Sequence, residues 1–156
     1  MEKKLIITNE SQMIKLGELI GNHAFKGMVI TLEGDLGAGK TTLTKGIGAS
    51  LHINRIINSP TFTIMKIYEG DLTLYHMDVY RIDNNSGDDY LEEYFYLDGI
   101  CVIEWALNIS DILPPNRLTI NIEIDDDFNR IVTIGYESKN EASASEYKKI
   151  IEEIEL

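Results

Sequence analysis

Hydrophobic residues follow two strand-like patterns along this chain. Residues 28–33 and 99–104 are apolar runs without polar alternation, which is typical of strands buried on both faces. Residues 118–124 and 131–136 instead alternate strictly between apolar and polar side chains. This alternation predicts an antiparallel pair with one face in water, and residues 125–129 connect the two strands.

Other segments carry helical spacing or turn signals. We expect an edge strand over residues 5–8 and then a helix with Ser11 as its N-cap, ending near residue 23. The apolar positions of this helix recur every three or four residues: Met13, Leu16, Leu19 and Ile20. Residues 41–51 follow a glycine-rich turn and predict a second helix. Ser143 and Glu146 suggest a capping box for a last helix that ends near residue 154.

The middle of the chain predicts a hairpin. Residues 62–68 and 72–80 have strand character, and the Glu-Gly-Asp turn at residues 69–71 joins them. A short helix is expected around residues 91–94. Taken together, the pattern predicts one α/β domain over residues 1–156, with a mixed central sheet flanked by helices.

Composition narrows the possible partners. The 156-residue chain has 14 basic and 26 acidic residues, for a net charge of −12. It therefore lacks the broad basic surface with which proteins grip nucleic acid, so in an RNA pathway a partner should hold the RNA. The single cysteine, Cys101, excludes an intrachain disulfide. No apolar stretch approaches the length of a membrane span, so we expect a cytoplasmic protein without membrane contact.

One motif carries specific chemistry. GDLGAGKT at residues 34–41 fits the phosphate-loop pattern G-x-x-x-x-G-K-[ST] at every fixed position. The glycines allow backbone N–H groups to surround an anion, and the following helix adds the positive end of its dipole. Lys40 can reach the β- and γ-phosphates of a nucleotide, and the Thr41 hydroxyl can bind Mg²⁺. The motif follows a predicted strand and opens a predicted helix, as this chemistry requires.

A phosphate loop also needs a carboxylate for its metal. Asp78 lies in the second strand of the predicted hairpin, on one face with His76 and Tyr80 by the two-residue period. Glu104 ends a buried strand, where ligands of open α/β sheets bind. The pattern leaves open which carboxylate touches the metal. It also leaves open whether Trp105 faces the core, because strand ends often abandon alternation.

Four motifs, taken in order, resemble a known family. They are GDLGAGKTT at residues 34–42, SPTF at 59–62, HMDVYR at 76–81 and Glu104-Trp105. Their order and spacing resemble the bacterial TsaE family (formerly YjeE), the ATPase component of tRNA threonylcarbamoyladenosine biosynthesis. The resemblance covers nearly the whole chain.

This resemblance implies a P-loop NTPase-like fold and a Mg²⁺-dependent ATPase. In it, Thr41 and Glu104 would hold Mg²⁺, Asp78 would support metal binding or hydrolysis, and Lys40 would act on the phosphates. The expected nucleotide contacts are Asp35, Gly37, Ala38, Gly39, Lys40, Thr41, Thr42 and, in a switch-like loop, Thr61. The implied partners are the TsaD and TsaB proteins, with tRNA reached only through their complex.

Two other nucleotide-dependent activities share the phosphate loop. A small-molecule kinase usually brings several arginines over the transferred phosphoryl group, whereas the four arginines here are scattered. A GTPase needs guanine-recognition and switch sequences of the N-K-x-D and D-x-x-G types, and neither occurs. ATP is therefore the favoured nucleotide, and the kinase remains the alternative activity.

Overall fold

The computed structural model describes residues 1–60, 63–82 and 89–156, except that the side chain of residue 89 is not described. Seven strands form one sheet in the order β1-β7-β6-β2-β5-β4-β3. The strands are β1 (Lys3–Ile7), β2 (Val29–Gly34), β3 (Met65–Tyr68), β4 (Leu74–Asp78), β5 (Ile100–Glu104), β6 (Arg117–Ile124) and β7 (Arg130–Glu137). The helices are α1 (Glu10–Gly21), α2 (Lys40–Ser50) and α3 (Glu141–Glu153), with 3-10 helices at Asp89–Tyr96 and Ala106–Ile109.

The sheet is mixed, as the sequence predicts. The four central strands are parallel to one another, in the order β4, β5, β2 and β6. The outer pairs are antiparallel: β3 with β4, β6 with β7, and β7 with β1. Strands β6 and β7 form the antiparallel pair that their alternation indicates, and β3 and β4 form the expected hairpin. The parallel strands thereby bring several carboxyl ends to one edge of the sheet, where α/β folds bind ligands.

Each face of the sheet is covered by a separate hydrophobic cluster. Helices α1, α2 and α3 pack on one face through residues such as Leu16, Leu43 and Ile150. The 3-10 helices cover part of the other face through Leu91, Phe95 and Ile109. Cys101 is buried in this second cluster, and burial raises its pKa to about 12. The thiol is therefore a packing group rather than a nucleophile.

Helix α2, which follows the phosphate loop, is fixed closely against α1. A Cβ added at Gly17 would lie 2.2 Å from the carbonyl oxygen of Leu43, and one added at Gly46 would lie 2.2 Å from that of Ile14. No side chain fits at that separation, so the two glycines permit the close helix contact. This packing holds the first turn of α2 in place over the sheet.

Two predicted helix caps are wrong, for the same reason. Asn9, not Ser11, caps α1, and its side-chain oxygen accepts the N–H of Gln12 at 2.9 Å. Asn140 caps α3 by accepting the N–H of Ser143 at 2.9 Å, so Ser143 belongs to the first turn and the expected capping box is absent. Asparagine is as favourable as serine at the N-cap position. Asn9 and Asn140 also have the extended backbone that an N-cap residue adopts.

The first strand of the hairpin is shorter than predicted. It begins at Met65, because Thr63 and Ile64 form a turn in which both N–H groups donate to the carbonyl of Pro60. Ile64 has a left-handed backbone, with φ of 67°, which is incompatible with a strand. Phe62, the predicted first residue of the strand, lies outside the described residues.

Candidate functional site

The carboxyl ends of β2, β5 and β4 meet at one edge of the sheet. Leu32 pairs with Glu104, and Glu104 pairs in turn with Asp78. The chain leaves β2 directly into the glycine-rich loop and then into α2, whose first residue is Lys40. Lys40 and Glu104, which are 64 positions apart in the sequence, are thus brought to the same edge.

The loop has the backbone of an anion cradle. Gly37 and Gly39 have φ angles of 80° and 113°, a conformation that side-chain-bearing residues rarely adopt. Gly39 is also the N-cap of α2, and no side chain among the described residues caps this helix end. The N–H groups of the first turn of α2 therefore remain available to an anion, which the helix dipole also favours.

Lys40 is held at the centre of this cradle. Only 5% of the residue is exposed, and its ammonium group donates to the carbonyl oxygens of Gly34 and Asp35. The ammonium nitrogen also lies 4.1 Å from the centroid of the Trp105 ring, a cation–π contact. Burial lowers the pKa of Lys40, and the nearby carboxylates of Glu104 and Asp78 partly oppose that shift. A bound phosphate would give the ammonium group of Lys40 charged oxygen partners in place of these weaker carbonyl partners.

The two predicted carboxylates face this lysine and are both buried. Asp78 accepts the N–H of Tyr80 at 3.0 Å and the Ser59 hydroxyl at 3.3 Å. The Oε2 atom of Glu104 lies 2.6 Å from Nε2 of His76. Ionised groups are seldom buried without such partners. These hydrogen bonds therefore fix two carboxylates beside a cavity rather than on the open surface.

A cavity of about 340 Å³ brings most of the predicted site residues together. Its walls include these predicted residues: Asp35, Gly37, Ala38, Gly39, Lys40, Thr41, Thr42, Asp78 and Glu104. Ser59, Tyr80 and Trp105 complete much of the lining. Thr61, the remaining predicted contact, lies outside the described residues.

The donor set suits a metal that is shared with phosphates. In residues 1–60, 63–82 and 89–156 no group of three His, Cys, Asp or Glu side chains is placed to hold a metal ion by itself. Mg²⁺ is usually held by one or two carboxylates, water and the phosphates of a substrate. The Thr41 hydroxyl and the carboxylates of Asp78 and Glu104 line one cavity with the loop, and they fit this mode of binding.

Arg130 is a site residue that the sequence does not reveal. It extends from β7 to the outer side of the loop, where its Nε donates to the Ala38 carbonyl at 3.1 Å and its Nη2 to the Gly37 carbonyl at 3.2 Å. By engaging these carbonyls it helps to hold the loop backbone in the orientation that turns N–H groups inward. No local pattern marks this role, because it depends on the position of β7 in the sheet.

Trp105 and Glu33 also make contacts at the site that the spacing of residues in the sequence does not predict. Trp105 departs from strand geometry, with φ of 63°, and its ring lies between Lys40 and Tyr80, whose ring centroid is 4.9 Å away. The ring lines the cavity and also packs against the second hydrophobic cluster. Glu33 accepts the Leu107 N–H at 3.1 Å and so fixes the turn that follows Trp105. Burial raises the pKa of Glu33.

A second cavity of about 200 Å³ lies on the other side of the loop. It shares Gly37, Gly39 and Thr42 with the first cavity, and its other walls include Met13 and Phe128. The only charged side chains among its described lining residues are those of Glu10 and Arg130. One loop therefore separates a charged cavity from a largely neutral one.

The mixed sheet with helices on its faces, together with a strand–glycine loop–helix unit at its carboxyl edge, defines a P-loop NTPase-like α/β protein. A family model described as "Threonylcarbamoyl adenosine biosynthesis protein TsaE" matches residues 7–132. The chain belongs to the TsaE family.

Individual relatives agree over most of the chain. The tRNA threonylcarbamoyladenosine biosynthesis protein TsaE of Bacillus subtilis is 46% identical over 147 residues, which cover 94% of this chain and 89% of the relative. The protein of the same name from Treponema pallidum is 42% identical over 76% of this chain and 89% of the relative. The crystal structure of Bacillus subtilis YdiB superposes with a TM-score of 0.80 and 41% identity, covering 96% of this chain and 95% of that one.

The comparisons thus bear out the resemblance and the fold class that the sequence predicts. They also place the chain in a family named for threonylcarbamoyl adenosine biosynthesis. No helix in the described part of the chain is long and apolar enough to cross a membrane.

Proposed function

We propose that this chain is the ATP-binding and ATP-hydrolysing component of tRNA threonylcarbamoyladenosine biosynthesis. The observation that carries the proposal is the charged cavity, in which Lys40 and the loop face the buried carboxylates of Asp78 and Glu104. An arrangement of cationic donors opposite metal-binding carboxylates suits phosphoryl transfer, where catalysis is mainly positioning and charge stabilisation. The pathway comes from the family and from the names of the relatives.

Each residue of the cavity has a role in this proposal. The N–H groups of the loop and Lys40 bind the β- and γ-phosphates, while Thr41 and Glu104 hold Mg²⁺. When bound, Mg²⁺ would neutralise phosphate charge and fix the geometry of the phosphates. Asp78 would act on hydrolysis, by orienting water or supporting the metal, and hydrogen bonds from Tyr80 and Ser59 hold its carboxylate at the wall of the cavity.

The neutral cavity offers a place for the base and sugar of the nucleotide. It adjoins Thr42 and the outer side of the loop, so a nucleotide can span both cavities with its phosphates on the charged side. The apolar surfaces of Met13 and Phe128 suit the faces of a base. The sequence has no N-K-x-D segment for guanine recognition, which favours ATP as the substrate.

A small-molecule kinase is less well supported. Three of the four arginines make contacts that do not point into the charged cavity: Arg55 donates to Ile67, Arg117 to Pro114, and Arg130 to the loop carbonyls. A kinase would need such groups over the transferred phosphoryl group. Water is therefore the better acceptor.

TsaB and TsaD are the proposed partners, and they would also bring the tRNA. With a net charge of −12, the isolated chain should not retain tRNA at physiological salt. The deciding experiment measures ATP turnover by the purified chain, alone and with a TsaB–TsaD pair. Stimulation by the pair is expected, and it should be absent in Lys40→Ala. Equal turnover with and without the pair, or tight tRNA binding by the chain alone in a gel shift, would contradict the proposal.

A further inference from the structure

His76 is the one buried histidine that contacts the proposed metal site. It lies in β4 and is 0% exposed, and its Nε2 atom is 2.6 Å from Oε2 of Glu104. An ionised carboxylate only accepts hydrogen bonds, so this contact assigns a proton to Nε2. The contact leaves the other ring nitrogen, Nδ1, unused.

The Nδ1 atom of His76 has no partner among the described residues. A buried polar atom without a hydrogen bond reduces stability, and an apolar side chain of similar size would avoid that cost. Packing alone therefore does not account for a histidine at this position. Among the residues that the structure describes, Glu104 is the one hydrogen-bond partner of the ring.

The position of His76 determines what that contact does. In the parallel pair β4–β5, Asp78 lies beside Glu104, and His76 lies one pleat earlier on the same strand, beside Val102. The hydrogen bond therefore ties the Glu104 side chain back toward the interior of the sheet. It occupies one carboxylate oxygen and leaves Oε1 for a ligand in the cavity that Glu104 lines.

We propose that His76 is a positioning residue that orients Glu104 to bind the metal through a single oxygen. The inference rests on the proposed function, in which Glu104 holds Mg²⁺. Mg²⁺ tolerates little departure from octahedral geometry, so a carboxylate with a fixed rotamer binds it better than a mobile one. Partners of metal ligands typically change metal affinity or activity by about 10- to 100-fold when they are removed.

Two substitutions separate positioning from packing. His76→Leu keeps the volume and removes the donor, whereas His76→Gln places an amide N–H near the position of Nε2. His23→Leu is the matched control, because His23 also faces a glutamate, Glu153 at 3.6 Å, away from the site. Mn²⁺ binding in the presence of ADP is measured by electron paramagnetic resonance, and ADP binding in EDTA by calorimetry.

His76→Leu should weaken Mn²⁺ binding by about tenfold or more while ADP affinity in EDTA changes less than about twofold. His76→Gln should recover most of the Mn²⁺ affinity, and His23→Leu should match the wild type. Wild-type Mn²⁺ affinity in His76→Leu, or a folded His76→Gln as weak as the leucine variant, would overturn the inference. Failure of the wild type to bind Mn²⁺ with ADP would instead remove the proposed function.

A second measurement needs no substitution and covers the case in which His76→Leu does not fold. Nitrogen-15 NMR of the wild type, with only three histidines, reports the tautomer of each ring. We expect His76 to be protonated at Nε2 and its signals to shift more with Mg²⁺–ADP than with ADP alone. A ring protonated at Nδ1 only, or one that does not respond to Mg²⁺, would contradict positioning of Glu104.

Discussion

The parallel centre of the sheet and its antiparallel half treat polar side chains in opposite ways. The buried polar or charged residues in the described part of the chain lie on β2, β4, β5 or α2: Thr31, Lys40, Thr44, His76, Asp78 and Glu104. In β6 and β7 the polar side chains instead alternate onto a half-buried face beside a groove, as Thr119, Asn121 and Thr133 do.

This difference indicates that the two halves of the sheet have different roles: one half mainly stabilises the fold, and the other carries the residues of the site. In β6 and β7 the apolar side chains pack in the core while the alternate polar side chains face water. Those strands therefore mainly stabilise the fold. Burying polar residues within the apolar runs of β4 and β5 costs free energy. These residues lie where contacts with a charged ligand can offset that cost. A change in the centre should thus impair ligand chemistry, and a change in the antiparallel half should impair stability.

The largest expected effect is that of Lys40→Ala. It removes the one lysine among the described residues that line the charged cavity, so turnover of ATP should fall by about 10³-fold and calorimetric affinity for ATP should weaken. Lys45→Ala, an exposed lysine on the same helix, is the control and should behave as the wild type. Unchanged affinity and turnover in Lys40→Ala would remove the functional distinction between the two halves.

Asp78→Asn should lower turnover by about 10²-fold with little loss of nucleotide affinity. The asparagine keeps the oxygen that accepts the Tyr80 N–H, so the local fold should persist while the charge is lost. Steady-state kinetics and calorimetry together measure the two quantities. The control is Asp98→Asn, because Asp98 is exposed and lies just before β5, at the end of that strand away from the site. Equal losses in both quantities would place Asp78 in ground-state binding instead.

Ile134→Ala tests the antiparallel half. Ile134 is 0% exposed and pairs with Ile120 across β6 and β7. Its truncation should lower the free energy of unfolding by about 2 to 3 kcal/mol, as large-to-small changes in a core do. Urea unfolding measures that loss, and calorimetry of the folded variant should show unchanged ATP affinity. Weakened ATP binding with full stability would reverse the comparison.

Arg130→Lys probes the point at which the antiparallel half contacts the loop. Lysine keeps the charge but cannot reproduce the paired donation to the Gly37 and Ala38 carbonyls, so ATP affinity should fall by about fivefold. Arg117→Lys on the neighbouring strand is the control, since Arg117 donates to Pro114 instead. Calorimetry that finds the two variants equal would show that the loop is held without Arg130.

The sequence predicts the centre of this molecule better than its boundaries and supports. The apolar runs, the alternating pair and the loop motif depend on local chemistry, so β2, β5, β6, β7 and α2 fall close to their expected positions. The caps at Asn9 and Asn140 involve equally suitable neighbours, which local preference cannot rank. In the 3-10 helix at Asp89–Tyr96, Tyr90 and Tyr96 are more than half exposed, whereas Phe95 is buried, a division that the local sequence does not show.

The supports of the site depend on strand order, which periodicity does not encode. Arg130 reaches the loop only because β7 lies two strands from β2, and His76 reaches Glu104 only because β4 and β5 are parallel neighbours. Glu33 likewise reaches the turn after Trp105 only because β2 lies beside β5. The motifs could thus be predicted from the sequence, whereas the contacts that Arg130, His76 and Trp105 make at the site required the fold.

The central claim, that a nucleotide binds between Lys40 and the carboxylates, is tested most directly by the fluorescence of Trp105. It is the single tryptophan of the chain, and its ring lies 4.1 Å from the ammonium nitrogen that the γ-phosphate would engage. Titration with Mg²⁺–ATP should change the emission with a midpoint that matches calorimetry. The change should vanish in Lys40→Ala and weaken in Glu104→Ala. A flat titration under conditions where calorimetry detects binding would place the nucleotide elsewhere and contradict the account.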